Sequence, residues 1–179
     1  MTADAASAAD AASAADAAVG DAVPAASARY RILVLNGPNL NLLGTREPEI
    51  YGTDTLDDII AGLRAAFEQR AEIRDAQSNS EGDLVDALHG ARHSADGVIL
   101  NPGAYTHYSV AIRDAIVACE LPVVETHLSN VHAREPFRQR SVLSEVCLGV
   151  VTGFGRHSYF AAAEALLRCL GDRDADIAQ

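Results

Sequence analysis

Apolar residues recur along this chain in two alternating rhythms. Short, nearly unbroken aliphatic runs take turns with longer stretches whose apolar positions fall three or four apart. Residues 31–36 (RILVLN) form the first run, closed by Gly37-Pro38. Helical spacing follows at Leu56, Ile59, Ile60, Leu63 and Phe67. Residues 72–77 read as a weaker strand. Leu84, Val85 and Leu88 mark a second helix, with Ser80 as its N-cap and Asp83 three residues on. Residues 98–100 form the third strand, cut off by Asn101-Pro102-Gly103, and 110–119 the next helix. Residues 121–126 and 147–152 form the fourth and fifth strands, and 159–170 the last helix.

Strands that are apolar throughout need cover on both faces, which a parallel sheet between helices provides. With right-handed crossovers the pattern predicts an α/β fold: a flavodoxin-like, doubly wound, five-stranded parallel sheet with helices on both faces. The first 28 residues stand apart. Residues 3–8 read ADAASA, 9–14 repeat it, and 15–20 read ADAAVG. Alanine favours helix, but no apolar stripe is present to dock one. The division expected is an Ala/Asp-rich tail over 1–28, a catalytic domain over 29–172, and a short C-terminal tail over 173–179.

Composition narrows the chemistry. The chain has 179 residues and a formal net charge of -11, which disfavours nucleic acid as partner, since phosphate backbones call for a basic face. All 14 basic residues are arginine. Without a lysine amine there is no Schiff-base catalysis, no pyridoxal-phosphate enzyme and no Walker-type P-loop. No apolar run reaches the ~18 residues of a membrane span. The leading segment lacks the basic start and large-aliphatic centre of a signal peptide. Cys119, Cys147 and Cys169 lie in or beside apolar runs and read as buried, inert thiols of a reducing compartment, so a cytoplasmic location is expected.

Ligands of such sheets bind beyond the carboxyl ends of the strands. The segments after strands one, three and four are the ones densest in Asn, Arg, His and Glu. Topology brings Asn39, Arg46, Tyr51, Asn101, His107, His127, Arg134 and Arg138 to one rim. No HExxH pattern or carboxylate cluster suggests a metal, and no GxGxxG suggests a nucleotide, so no cofactor is expected. Gly153-Phe154-Gly155 reads as a tight turn into a helix. Arginines, asparagines and loop amides suit a small anionic, polyhydroxylated substrate. Such a site relies on acid/base work and oxyanion stabilisation. His127 is a natural acid, and Glu125, two residues earlier, falls on the same side of a strand and would orient it. The same alternation suits an ordinary strand edge. Tyr51 is a candidate base, given arginines to lower a phenol pKa from ~10. It also suits an amphipathic loop anchor.

Four strings carry a resemblance. Residues 35–52 (LNGPNLNLLGTREPEIYG), 77–82 (QSNSEG), 101–114 (NPGAYTHYSVAIRD) and 125–138 (ETHLSNVHAREPFR) resemble, in order, the motifs of the type II 3-dehydroquinate dehydratases. The similarity runs from about residue 32 to 170. Ser158 departs from it, standing before Tyr159 where the family is expected to have glycine. The resemblance implies trans-dehydration of 3-dehydroquinate to 3-dehydroshikimate, in the shikimate pathway, through an enolate and without a cofactor. It implies Tyr51 as the base, Arg46 on a lid and Arg134 lowering its pKa, and Asn39 stabilising the enolate. It implies His127 as the acid, held by Glu125. Asn101, Ser129 and the Leu128 backbone would hold the carboxylate, and His107 and Arg138 the hydroxyls. Asp114 would reach a neighbouring subunit's site in a dodecamer built from trimers. Two other classes stay open to the sequence: a flavodoxin-like module binding a flavin or a phospho-signal, and a non-catalytic scaffold.

Overall fold

The computed structural model describes residues 29–45 and 53–177. Strands β1 (Tyr30–Asn36), β2 (Ala71–Gln77), β3 (Gly97–Asn101), β4 (Val123–His127) and β5 (Gly149–Thr152) form one sheet in the order β2-β1-β3-β4-β5. Every neighbouring pair is parallel. Helices α1 (Leu56–Phe67) and α4 (His157–Ile177) cover one face, where Ile59, Leu63 and Leu166 pack with Val34 and Ile99. Helices α2 (Glu81–Ser94) and α3 (Val110–Cys119) cover the other, where Leu84, Leu88, Ile112 and Ile116 pack with Leu35 and Leu100. Val34 and Leu35 are consecutive and serve opposite cores. That explains the unbroken apolar run: strand side chains alternate, and both faces are dry. The architecture is the doubly wound α/β sheet that the hydrophobic pattern predicts.

Caps set the helix starts. Thr55 Oγ1 accepts from Asp58 N–H at 3.1 Å, and the Asp58 carboxylate accepts from Thr55 N–H at 3.0 Å, a closed capping box for α1. At α2 the expected box is only half formed. Ser80 Oγ accepts from Asp83 N–H at 3.4 Å, but the Asp83 carboxylate accepts from Ser78 Oγ at 2.7 Å. Ser80 N–H donates to Ser78 Oγ instead, at 3.0 Å.

Several element ends differ from the sequence expectation. β4 begins at Val123, after Pro122, which has no N–H to give a ladder, and it runs on to include His127. β5 begins at Gly149, because Ser144–Val146 forms a 3-10 turn first. Helix α4 continues past Leu170 through residues 173–177, the stretch read as a tail, and Asp174 accepts from Tyr30 Oη at 2.6 Å. The three cysteines are free thiols. Burial pushes the Cys119 thiol up, and burial together with the nearby Glu125 charge pushes Cys147 up to about 12, so both stay protonated. Among the described residues no helix is long and apolar enough to cross a membrane.

Candidate active site

The chain order reverses at β1, whose neighbours are β2 and β3, and the crevice beyond their carboxyl ends is where the polar loops meet. Gly37 makes the meeting close. Its N–H donates to the Asn101 carbonyl at 2.7 Å, and a Cβ at this position would lie 2.5 Å from the Pro102 carbonyl oxygen. Asn39 follows in the left-handed region (φ 67), which its short polar side chain tolerates. Its N–H donates to Asn79 Oδ1 at 2.9 Å.

Below the rim lies a buried polar chain. Tyr159 Oη donates to Asn36 Oδ1 at 2.7 Å and accepts from Asn101 Nδ2 at 2.8 Å. Asn101 Oδ1 accepts from Gly103 N–H at 3.2 Å, so the amide orientation is fixed and one Nδ2 hydrogen is left for a ligand. Burial pushes the Tyr159 phenol well up, which keeps it a neutral donor.

His127 ends β4. Its Nε2–H donates to Glu125 Oε1 at 2.7 Å. With Nε2 bound to the carboxylate, Nδ1 is the nitrogen left for a ligand. Glu125 is fully buried. Burial pushes its carboxyl up, but the hydrogen bond and charge of His127 and the hydroxyls of Thr106 and Ser141 outweigh this, and the net shift is downward. The carboxylate therefore stays ionised beside the imidazole. The backbone at this strand end is pinned by the glycine turn: Gly153 N–H donates to the His127 carbonyl at 3.3 Å and Gly155 N–H to the Leu128 carbonyl at 2.9 Å. Ser158, the departure from the family pattern, is fully buried, and its Oγ accepts from Phe154 N–H at 3.1 Å inside this same turn.

The cationic side comes from the segment after β4. Glu135 stands between two arginines, its Oε2 3.5 Å from Arg134 Nε and 3.3 Å from Arg138 Nε. Arg134 Nη1 also lies 3.5 Å from Ser129 Oγ. His107 Nδ1–H donates to the Arg140 carbonyl at 2.8 Å, which leaves Nε2 as the nitrogen open to a ligand.

These groups line one cavity of about 160 Å³: Asn39, Asn101, His107, His127, Leu128, Ser129, Arg134 and Arg138 all face it. Glu125 stands behind His127. Asp114 is exposed on α3 and is not among the residues lining this cavity. Arg46 and Tyr51 lie outside the described residues. Sequence reasoning missed Asn36, Tyr159, Thr106 and Ser141. The one signal for them was polar residues, Asn36 and Thr106, inside otherwise apolar or rim-forming strings. Among the described residues no group of three or more His, Cys, Asp or Glu is placed to hold a metal ion. Chemically, the arrangement combines a carboxylate-oriented imidazole, an arginine pair and fixed amides around a small cavity. It can donate a proton to a bound anionic molecule while holding that molecule's oxygens.

Comparison with known proteins agrees with this chemistry. The sequence model of the family described as dehydroquinase class II matches residues 30–167. A 3-dehydroquinate dehydratase of an Exiguobacterium species is 60% identical over 137 residues, covering 76% of this chain and 94% of the relative. A catabolic 3-dehydroquinase of Verticillium alfalfae is 50% identical over 145 residues, covering 80% and 97%. The crystal structure of a type II dehydroquinase from Butyrivibrio crossotus superposes with a TM-score of 0.75 at 42% identity, covering 77% of this chain and 97% of that one.

Proposed function

The chain belongs to the dehydroquinase class II family, and from that premise we propose how its residues carry out the dehydration of 3-dehydroquinate to 3-dehydroshikimate, a lyase step of the shikimate pathway. The observation that carries the reading is the buried His127–Glu125 pair, 2.7 Å apart, at the wall of a cavity shared with Asn101, Arg134 and Arg138.

Elimination needs a base for a C–H beside the ketone and an acid for the departing hydroxyl. By resemblance the base is Tyr51, with Arg46 and Arg134 favouring its phenolate. The C–H electron pair becomes an enolate, which Asn39 stabilises. His127 then protonates the hydroxyl from Nδ1 as the C–O bond breaks, and water leaves. Glu125 stabilises the imidazolium before transfer and fixes the ring while it happens. Asn101, Ser129 and the Leu128 backbone hold the substrate carboxylate, and His107 and Arg138 its hydroxyls. Returning the proton from Tyr51 to His127 closes the cycle.

The decisive experiment mixes purified protein with 3-dehydroquinate and follows the conjugated enone in the ultraviolet. The expected result is turnover that His127→Ala slows by roughly 10²–10⁴-fold, the usual worth of a positioned acid. Full activity in that variant removes His127 from the role.

The reading extends to assembly. We propose a cytoplasmic homo-oligomer, a dodecamer built from trimers, in which Asp114 reaches a neighbouring subunit's site. Supporting it, Asp114 is exposed on α3, and Tyr108, Val110, Val117, Phe137, Leu148, Val150 and Phe154 are exposed apolar side chains. Light scattering on a sizing column should give twelve times the chain mass; a monomer mass ends this part of the proposal.

A further inference from the structure

Glu125 is 0% exposed, yet each of its oxygens meets a hydroxyl. Thr106 Oγ1 lies 2.5 Å from Oε1, and Ser141 Oγ lies 3.0 Å from Oε2; the two hydroxyls are themselves 2.7 Å apart. Proton accounting decides who donates to whom. Leu143 N–H and Ser144 N–H donate into Ser141 Oγ at 3.0 and 2.9 Å, which occupies both of its lone pairs. Ser141 therefore has no acceptor to offer Thr106, and its own proton is shared between Thr106 Oγ1 at 2.7 Å and the Glu125 carboxylate, 3.0 Å from Oε2 and 3.2 Å from Oε1. The Thr106 proton goes to Oε1. Glu125 thus accepts from Thr106 and His127 and shares the Ser141 proton, a network that keeps a buried carboxylate charged.

We infer that Thr106 and Ser141 are positioning residues, a hydroxyl cradle that holds the Glu125 carboxylate in register with His127 and thereby sets how readily His127 gives up its proton. The inference rests on the reading of His127 as the acid. Neither hydroxyl lines the 160 Å³ cavity of the candidate site; both line an adjoining cavity of about 220 Å³ that shares His107, His127 and Arg138 with it. The backbone reinforces the cradle, since Val142 N–H donates to the Thr106 carbonyl at 2.8 Å and ties the segment before β5 to the one after β3. The other titratable groups around the pair are His107, His132, Arg134 and Arg138 on the cavity sides and the Cys147 thiol near Glu125. Among the described residues the groups that meet the Glu125 carboxylate are Thr106, Ser141 and His127.

A hydroxyl donor stabilises the net-negative pair, ionised Glu125 with neutral His127, more than the pair carrying one further proton. Removing it makes the pair hold that proton more tightly. A tighter acid donates more slowly and stays loaded to higher pH.

The test is the pH profile of kcat and of KM for Thr106→Val, which keeps shape and deletes the hydroxyl, beside Thr106→Ser, which keeps the hydroxyl. Thr106→Val should lower kcat roughly 10-fold, less than loss of the whole acid. KM should stay within about twofold, because no substrate contact is lost. The basic limb of the profile should move up by about one pH unit, the scale of a hydrogen bond to a charged group. Thr106→Ser should restore both. An unmoved basic limb in Thr106→Val, or a Thr106→Ser as impaired as Thr106→Val, overturns the inference. If Thr106→Val does not fold, Thr106→Ala removes the same hydroxyl and is judged by the same limb. His127→Ala, measured in parallel, separates the failures. If it keeps turnover, the acid assignment is wrong; if it collapses while Thr106→Val behaves as wild type, the cradle alone is wrong.

Discussion

Asn101 Nδ2 donates to Tyr159 Oη at 2.8 Å, joining the first turn of the last helix to the floor of the cavity. The hydroxyl passes its own proton to Asn36 Oδ1, so one phenol aligns the last residue of β1 with the last residue of β3. These are the two strand ends from which the site loops depart. Tyr159→Phe would leave a buried amide oxygen and a buried amide hydrogen without partners, at a cost of roughly 1–3 kcal/mol. Urea unfolding should show the loss, and KM should rise because Asn101 is no longer held toward substrate. An unchanged unfolding midpoint together with an unchanged KM would show that the phenol only fills space.

Gly37 is a steric requirement rather than a flexible link. Its φ is not in the left-handed region; what it lacks is space, since a Cβ would meet the Pro102 backbone, not a side chain that can swing away. Gly37→Ala should destabilise by roughly 1–3 kcal/mol, the scale of overpacking. It should also cut turnover, since separating these loops displaces both Asn39 and Asn101. Wild-type stability and rate in this variant would mean that the two loops part without consequence.

The fold was legible because its signals are local. The run RILVLN and the spacing of Leu56, Ile59, Ile60 and Leu63 each report burial without reference to distant residues. The Glu125–His127 pair was legible for the same reason, since residues two apart on a strand share a side. The end of α4 was not: residues 171–177 carry no apolar stripe, and one hold on them is Asp174 to Tyr30, 144 residues away. Thr106 and Ser141 stand 35 residues apart on separate loops, and their convergence on Glu125 depends on how those loops travel. Tyr159 reads as an aromatic core residue in a helix; only its partners reveal a polar task.

Acid stability should report on Glu125. Its folded-state carboxyl is held below the ordinary value, against the cost of burial, by His127 and the two hydroxyls. The unfolded chain has an ordinary glutamate near ~4.3. Above that value the carboxylate is charged in both states and its contribution to stability is complete. As pH falls through ~4.3 toward the lower folded value, the unfolded state takes up the proton first, and the contribution is lost. Glu125→Gln lacks this dependence. The gap in unfolding free energy between wild type and Glu125→Gln should therefore be widest near neutrality and narrow on acidification below ~4.3. A gap that widens on acidification would contradict an ionised Glu125 in the fold.

The assignment of the base turns on Tyr51, which lies with Arg46 outside the described residues and rests on the resemblance of residues 35–52. Tyr51→Phe deletes the hydroxyl and keeps the ring. Turnover should fall by at least ~10²-fold, the low end for loss of a general base, with KM largely kept. Arg46→Ala should also slow turnover, for another reason. An isolated phenol titrates near ~10, and a close positive charge is what makes the phenolate common near neutrality. On the proposed roles the base must be deprotonated to act, so the acidic limb of the rate profile should belong to the tyrosine–arginine cluster and the basic limb to the His127–Glu125 pair. Removing the arginine charge lets the phenol keep its proton to higher pH, so the acidic limb should shift upward while the basic limb stays. A fall in rate with both limbs in place would leave Arg46 holding substrate rather than tuning the base. A Tyr51→Phe enzyme with wild-type turnover would remove the phenol from the mechanism and send the search for the base back to the cavity wall.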